Sequence, residues 1–290
     1  MSKRAKKPTP PATPEPLSPP AAPQTKIIAI ANHKGGCGKT TTAVNLAAEL
    51  GRAGHSVLLI DMDPQANASL HVGLAHPSEV PVDCAALLLG GPELLTEAIH
   101  EETALENVSL IYGSLNLGLA EDKLREEAPR PAEELALKLA PALGVYDAII
   151  IDCPPSLKLL SSNALAAATH VIIPVESGSQ YGLYGVSDLT RHIEKLRRVN
   201  PSLAVLGALL IRHDPRLTVC RLIEEAAREQ LGELLPVRVP TSTKVSQSVI
   251  LKQSARGVDR GSKVAQAFEE LAAHISSTLH LARTARGAEG

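Results

Sequence analysis

Nine residues constrain what this chain can become more than any others. His33-Lys34-Gly35-Gly36-Cys37-Gly38-Lys39-Thr40-Thr41 follows the apolar run Lys26-Ile-Ile-Ala-Ile-Ala-Asn32 and leads into Thr40 to Arg52, where Val44, Ala47 and Leu50 share one helical face. An apolar run without alternation suits a strand buried on both sides. Three glycines let backbone N–H groups curl inward, and the helix that follows adds the positive end of its dipole. Such a turn is built to hold phosphate. Lys39 is placed to reach β/γ-phosphate oxygens and the Thr40 hydroxyl to ligate Mg²⁺, with Gly35, Gly36, Cys37, Gly38 and Thr41 completing the cradle. The general phosphate-loop pattern G-x-x-x-x-G-K-[ST] starts on glycine; here that place is His33, and Lys34 beside it supplies a second lysine.

Two aspartates at the ends of later apolar runs point to the same chemistry. Asp63, in Leu58-Leu-Ile-Asp61-Met-Asp63-Pro64-Gln65-Ala-Asn67, is placed to orient an attacking water or to contact Mg²⁺ through water. Asp152, at the end of Ala148-Ile-Ile-Ile-Asp152, fits the carboxylate that holds a metal's shell. Asp61 stands one strand residue too early for direct contact and backs the other two.

Elsewhere, apolar runs alternate with helical segments. Strands are expected at 57–60, 108–112, 146–151, 171–175, 206–211 and 237–239, and helices at 82–100, 115–143, 156–168, 182–199, 216–231, 244–252 and 262–282. This alternation predicts an α/β fold: one doubly wound, mainly parallel sheet with helices on both faces. Residues 1–24 contain eight prolines and a net charge of +3, and read as a disordered basic arm ahead of a single domain at 25–290.

Composition removes several functions. Aromatic residues are 2% of the chain and Trp is absent, which argues against stacking platforms for single-stranded nucleic acid. No apolar run approaches the roughly 18 residues of a membrane span. Four cysteines lie far apart with no C-x-x-C pair, so a disulfide framework or metal knuckle is not expected and a reducing cytoplasm is. Cys37 and Cys153 read as small fillers of tight loops rather than redox switches. The net charge of −2 hides a division: −11 over residues 25–189 and +7 over 190–263. Folding that gathered the latter on one face would make a polyanion-binding surface.

Lys34-Gly-Gly-x-Gly-Lys-Thr-Thr41, Asp61-x-Asp-Pro-Gln-x-Asn67 and Asp152-Cys-Pro-Pro-Ser156 together resemble the deviant Walker A ATPases of the ParA/Soj partition family, over about Lys26 to Ala282. The resemblance implies a MinD-like P-loop fold that closes as a homodimer over two ATP molecules, each with Mg²⁺. Lys34 then becomes the signature lysine that reaches the partner's nucleotide, a cation supplied in trans. It also implies non-specific binding of double-stranded DNA by the ATP-bound dimer. Candidate contacts are Arg197, Arg198, Arg216, Arg221, Lys244, Lys252, Arg256, Arg260 and Lys263. A ParB-like or adaptor partner would stimulate hydrolysis, in a cytoplasmic, nucleoid-associated setting without membrane contact.

By the same resemblance, the segment ending Ile211-Arg-His-Asp214-Pro meets adenine, with Asp214 either a base contact or a turn-forming Asp-Pro. Pro240 begins a second base segment, where Thr241 and Ser242 replace the family's Arg-Asn and Gln247 its acidic residue. Three other readings belong to the same fold. A MinD-type membrane switch needs a C-terminal amphipathic helix, which the tail from Leu281 does not offer. A cluster carrier needs paired cysteines. A biosynthetic ATP-dependent ligase needs neither Lys34 nor the basic later segment.

Overall fold

Period-two alternation survives inside strands that look uniformly apolar, and it gives the sheet two buried faces. The computed structural model describes residues 25–179 and 181–281. The arm expected at 1–24 and the tail beyond Leu281 lie outside the described residues. In chain order the elements begin β1 (Lys26–Ile30), α1 (Lys39–Arg52), β2 (Val57–Asp61), α2 (Asn67–Val72), α3 (Cys84–Leu89), α4 (Leu95–Ala98), β3 (Ile99–His100) and β4 (Val108–Ile111). Next come α5 (Asn116–Glu127), α6 (Glu134–Leu139), β5 (Ala148–Asp152), α7 (Leu159–Ala167), β6 (His170–Glu176) and α8 (Val186–Leu196). The chain closes with β7 (Ala204–Ile211), α9 (Thr218–Leu231), β8 (Leu234–Val239), α10 (Thr243–Ile250), α11 (Ala255–Val258) and α12 (Lys263–Leu279).

The strands form one sheet of eight in the order β3-β4-β2-β5-β1-β6-β7-β8, parallel throughout except for the two-residue edge strand β3. On one face Ile27, Ala29, Leu58, Ile60, Ile149 and Ile151 pack against α3 and α5 to α8. On the other, Ile28, Ile30, Leu59 and Ile150 pack against α1 and α12. Phe268, the only phenylalanine of the sequence, is buried there. This is the doubly wound, mainly parallel arrangement expected from the alternation. Because β1 lies between β5 and β6, chain direction across the sheet reverses at β1. In such sheets the crevice outside the carboxyl ends at that reversal is the natural ligand site.

Three local expectations change. The helix expected over 82–100 is broken by Gly90-Gly91-Pro92 and ends as β3, antiparallel to β4. The helix expected over 115–143 divides into α5 and α6 around Pro129 and Pro131, since proline removes a donor and clashes with the preceding turn. Helix α2 was not expected. It is six residues long, too short for periodicity to register, and starts from Ala66 in the left-handed region at φ 53°.

Gly51, in the last turn of α1, is a tight contact. A Cβ there would lie 2.2 Å from the Glu106 carbonyl oxygen and 3.0 Å from Val108 Cγ2. Gly51→Ala should therefore lower stability by about 1–3 kcal/mol, although alanine is the better helix former. Chemical denaturation measures this; an unchanged or raised midpoint would show that the 106–108 segment yields freely.

Candidate functional site

The phosphate loop is pinned before it turns. Asn32 donates from Nδ2 to Pro174 O (2.6 Å) and accepts the Lys34 N–H on Oδ1 (3.0 Å), joining β1 to β6 at the loop's entry. Gly36 and Gly38 take φ of 70° and 80°, a region glycine enters without penalty. Nothing lies within 4 Å of where a Cβ would stand on Gly35 or Gly36, so the loop faces open space. Gly38 starts α1 with no side-chain cap, which leaves the first-turn N–H groups to a ligand. Lys39 is buried within its own loop and donates from Nζ to Lys34 O at 2.9 Å. The Cys37 thiol donates to the same carbonyl at 3.1 Å, and burial pushes it up against the pull of both lysines. That is an inert filler.

Strands β2 and β5 run in register, so Asp61 and Asp152 are direct partners at the carboxyl edge. Both are fully buried. Asp61 Oδ2 accepts from Ser69 N and Ser69 Oγ, each at 2.8 Å, and Oδ1 accepts from Asp63 N at 3.1 Å. Ser69 Oγ accepts in turn from Gly113 N at 2.8 Å, tying the Asp63 loop to the end of β4. Burial lifts the Asp61 carboxyl to about 6 against the Ser69 hydrogen bonds. Asp63 is buried beside it, with Oδ1 accepting from Gln65 N at 3.0 Å. Asp152 differs: neither of its oxygens has a hydrogen-bond partner. Burial first, and then the Asp61 charge, push it well above the usual carboxylate range, while nearby Thr40 and Lys39 oppose this. A buried carboxylate with two bare oxygens facing a lysine and a threonine fits a cation. Among the described residues no group of three or more His, Cys, Asp or Glu forms a metal cage. Mg²⁺ leans on one or two carboxylates plus substrate phosphates, and Asp152 beside the phosphate loop would supply one such carboxylate.

Lys34 does not enter its own cradle. Its Nζ pairs with Glu176 Oε2 at 2.7 Å, and Arg212 Nη1 takes Glu176 Oε1 at 2.7 Å. Burial raises the Glu176 carboxyl, but these two hydrogen bonds outweigh it and hold the group below its usual value. Sequence reasoning missed Glu176, although it ends a buried strand as Asp61 and Asp152 do.

Beside Gly38 a cavity of about 410 Å³ is lined by Thr41, Thr42, Arg212, Pro240, Thr241 and Ser242, among others. Arg212, Pro240 and Thr241 also line a neighbouring cavity of about 680 Å³ with Asp214, Arg216 and Lys263. Asp214 both faces this space and shapes the turn: its Oδ1 accepts from Arg216 N at 3.0 Å, and the Arg216 guanidinium holds its carboxyl down to about 2. The phosphate loop, Asp63, Asp152, Asp214 and Pro240 thus gather at one end of the sheet.

The basic residues do not gather in the same way. Arg256 is a correction: its side chain is 12% exposed and lies between Glu49 and Glu269, so its charge is neutralised inside the fold. Arg197 pairs with Glu194, Arg216 with Asp214 and Lys244 with Asp259, while Lys252 donates to Gly73 O. Arg198, Arg221, Arg260 and Lys263 are exposed, with no ion pair among the described residues.

A glycine loop between β1 and α1 with aspartates at neighbouring strand ends defines a P-loop nucleotide-binding fold. Comparison with known proteins agrees: an AAA domain family profile matches residues 25–205. The chromosome partitioning protein ParA of Myxococcus xanthus is 39% identical over 226 residues, 77% of this chain and 77% of the relative. The sporulation initiation inhibitor protein Soj of Bacillus subtilis is 35% identical over 256 residues, 87% of this chain and 98% of Soj. Cobyrinic acid a,c-diamide synthase from Mycobacterium smegmatis, solved with bound ATP analog and magnesium, superposes with a TM-score of 0.75 at 33% identity, covering 90% of this chain and 98% of that one. The chain belongs to the ParA/Soj family of MinD-like P-loop ATPases.

Asp152→Asn should stabilise the nucleotide-free protein by roughly 1–3 kcal/mol at pH 8, by removing a buried charge without a partner. The advantage should shrink toward pH 5. The wild-type carboxyl is raised only in the folded state, so folding gains a proton, and stability, as pH falls through that window. Urea denaturation of both proteins at the two pH values checks the sign; a wild type more stable at pH 8 would refute it.

Proposed function

We propose that this chain is an ATP-dependent dimerising switch of the ParA kind, which binds double-stranded DNA without sequence preference and positions a replicon or other cargo through a stimulating partner. The observation that carries this reading is Lys34: it lies at the rim of the loop, 20% exposed, paired to Glu176 rather than filling its own cradle. A second lysine so placed is available to a facing protomer once it gives up Glu176.

In this reading Lys39 and the backbone N–H groups of residues 35–41 bind the phosphates. The Thr40 hydroxyl and Asp152 hold Mg²⁺, which offsets phosphate charge when bound. Asp63 orients water against the γ-phosphate, Asp61 and Ser69 fix the loop that carries it, and the partner protomer's Lys34 stabilises the charge of the transferring group. Basal turnover is weak because each protomer lacks that lysine until the dimer closes, and a ParB-like or adaptor protein, with DNA, accelerates it. Of the expected DNA contacts, Arg198, Arg221, Lys252, Arg260 and Lys263 carry charge not already committed to an ion pair among the described residues. A cytoplasmic, nucleoid-associated location follows from DNA binding. Residues 25–290 act as one ATPase domain.

The likeness to a cobyrinic acid diamide synthase favours a second reading, a biosynthetic ATP-dependent ligase on the same fold. DNA separates the two: duplex DNA should raise ATP turnover in the switch and leave a ligase unaffected.

Lys39→Ala should abolish nucleotide binding in equilibrium titration. Lys34→Ala should keep ATP affinity and lose ATP-dependent dimerisation and hydrolysis. Equal loss of affinity in both would remove the role in trans.

Asp63→Ala should trap an ATP-bound dimer with negligible turnover. If that dimer neutralises about six phosphates, its duplex affinity should fall on the order of 10³-fold between 50 and 200 mM salt, alike for all sequences. Salt-insensitive binding would refute a folded basic surface.

A further inference from the structure

Lys34 is fixed at its backbone and free at its tip. Its N–H donates to Asn32 Oδ1 at 3.0 Å, and its carbonyl oxygen accepts from Lys39 Nζ at 2.9 Å and from the Cys37 thiol at 3.1 Å. Only the side chain is left to change direction, and one carboxylate sets that direction. Nζ lies 2.7 Å from Glu176 Oε2, with Ser179 Oγ at 3.5 Å, the limit of hydrogen bonding. The two charged side chains are 20% and 16% exposed, so their attraction is screened less than that of a surface pair.

Glu176 is not free to follow the lysine outward. Strand β6 places it opposite Ile211 of β7, and Ser177 N donates to Ile211 O at 3.1 Å just beyond it. Gly182 folds back so closely that a Cβ there would stand 2.2 Å from the Glu176 carbonyl oxygen. The second carboxylate oxygen, Oε1, accepts from Arg212 Nη1 at 2.7 Å. Separating a sheltered ion pair ordinarily strands a charge. Here Glu176 keeps Arg212 when Lys34 leaves, and a neutral pair remains. Glu176 therefore resists the release of Lys34, and Arg212 makes that release easier.

We propose that Glu176 is the positioning residue of Lys34: a latch that competes with the facing protomer's nucleotide for this lysine and so sets how readily the dimer closes. This rests on the reading of Lys34 as a cation given in trans. A protomer whose lysine is latched is not competent to close, so the apparent affinity between protomers falls with the released fraction. The two partners in the latch then act with opposite signs. Removing the acid frees Lys34. Removing Arg212 leaves Glu176 with Lys34 as its one cation among the described residues, and the hold tightens.

The test is analytical ultracentrifugation of the full chain at saturating AMPPNP and Mg²⁺, with steady-state ATP turnover alongside. Nucleotide affinity of each variant is measured separately by calorimetry. Glu176→Gln keeps the size of the side chain and removes its charge. It should lower the protein concentration at half-dimerisation by about tenfold and raise basal turnover in parallel. Arg212→Gly accepts the φ of 50° that Arg212 adopts. It should raise that concentration by about threefold or more. The double variant should match Glu176→Gln, because Arg212 has no latch left to loosen. A merely structural acid would weaken the dimer in both single variants. That result, or a Glu176→Gln dimer no tighter than wild type, would overturn the proposal. Lys34→Ala separates the latch from the reading beneath it. If Lys34→Ala dimerises like wild type, the role in trans fails and the latch with it. If it loses the dimer while Glu176→Gln is unmoved, the latch alone fails.

Discussion

Two carboxylates buried side by side at the edge of a parallel sheet are the constraint around which the rest is arranged. Asp61 and Asp152 face each other in register with no water-exposed surface between them. Burial alone makes such a pair unfavourable, and each carboxyl is accordingly raised. The molecule treats them unequally. Asp61 is given three hydrogen bonds, two of them from Ser69, and becomes a structural anchor. Asp152 is given none and stays able to meet a cation. The glycine loop, the buried Lys39 and the uncapped start of α1 all gather around that unmet charge, so a destabilising feature of the apo chain is the one its ligand would relieve.

The same economy governs the loop's two lysines. Lys39 is coiled into the cradle, where Lys34 O and the Cys37 sulfur surround it, whereas Lys34 is drawn out to Glu176. Glu176 lies between two cations, Lys34 and Arg212, which belong to different loops. One carboxylate thus joins the phosphate loop to the segment that follows β7.

Much of this was legible in the sequence, for identifiable reasons. The strands β1, β2 and β5 announce themselves because a strand buried on both faces needs an unbroken apolar run, and each ends on the motif that matters. The phosphate loop and Asp152 were legible because the chemistry fixes residue type at fixed spacing. What escaped was set by tertiary contact. Helix α2 is too short to show a period and depends on Asp61 accepting from Ser69. The breaks at Gly90 to Pro92 and at Pro129 and Pro131 were visible as punctuation but were overridden by apolar spacing on either side. Arg256 looked like one more exposed cation, since its partner Glu49 is 207 residues away and Glu269 lies on another helix. Glu176 carries no motif and Arg212 lies in a segment read only for Asp214; the folding of β6 beside β7 brings the two together.

The brace around Arg256 has a mechanical meaning for the whole site. Arg256 on α11 bonds to Glu49 of α1 and Glu269 of α12, and Arg52 joins the same two acids, so α1 is riveted along its second half to the carboxyl-terminal helices. Asn45 Oδ1 adds a further tie by accepting from Ala255 N at 2.8 Å. The helix behind the phosphate loop is therefore the stiff member of the site. The half of the molecule carrying α1, α11 and α12 thus backs the phosphate loop as one braced unit.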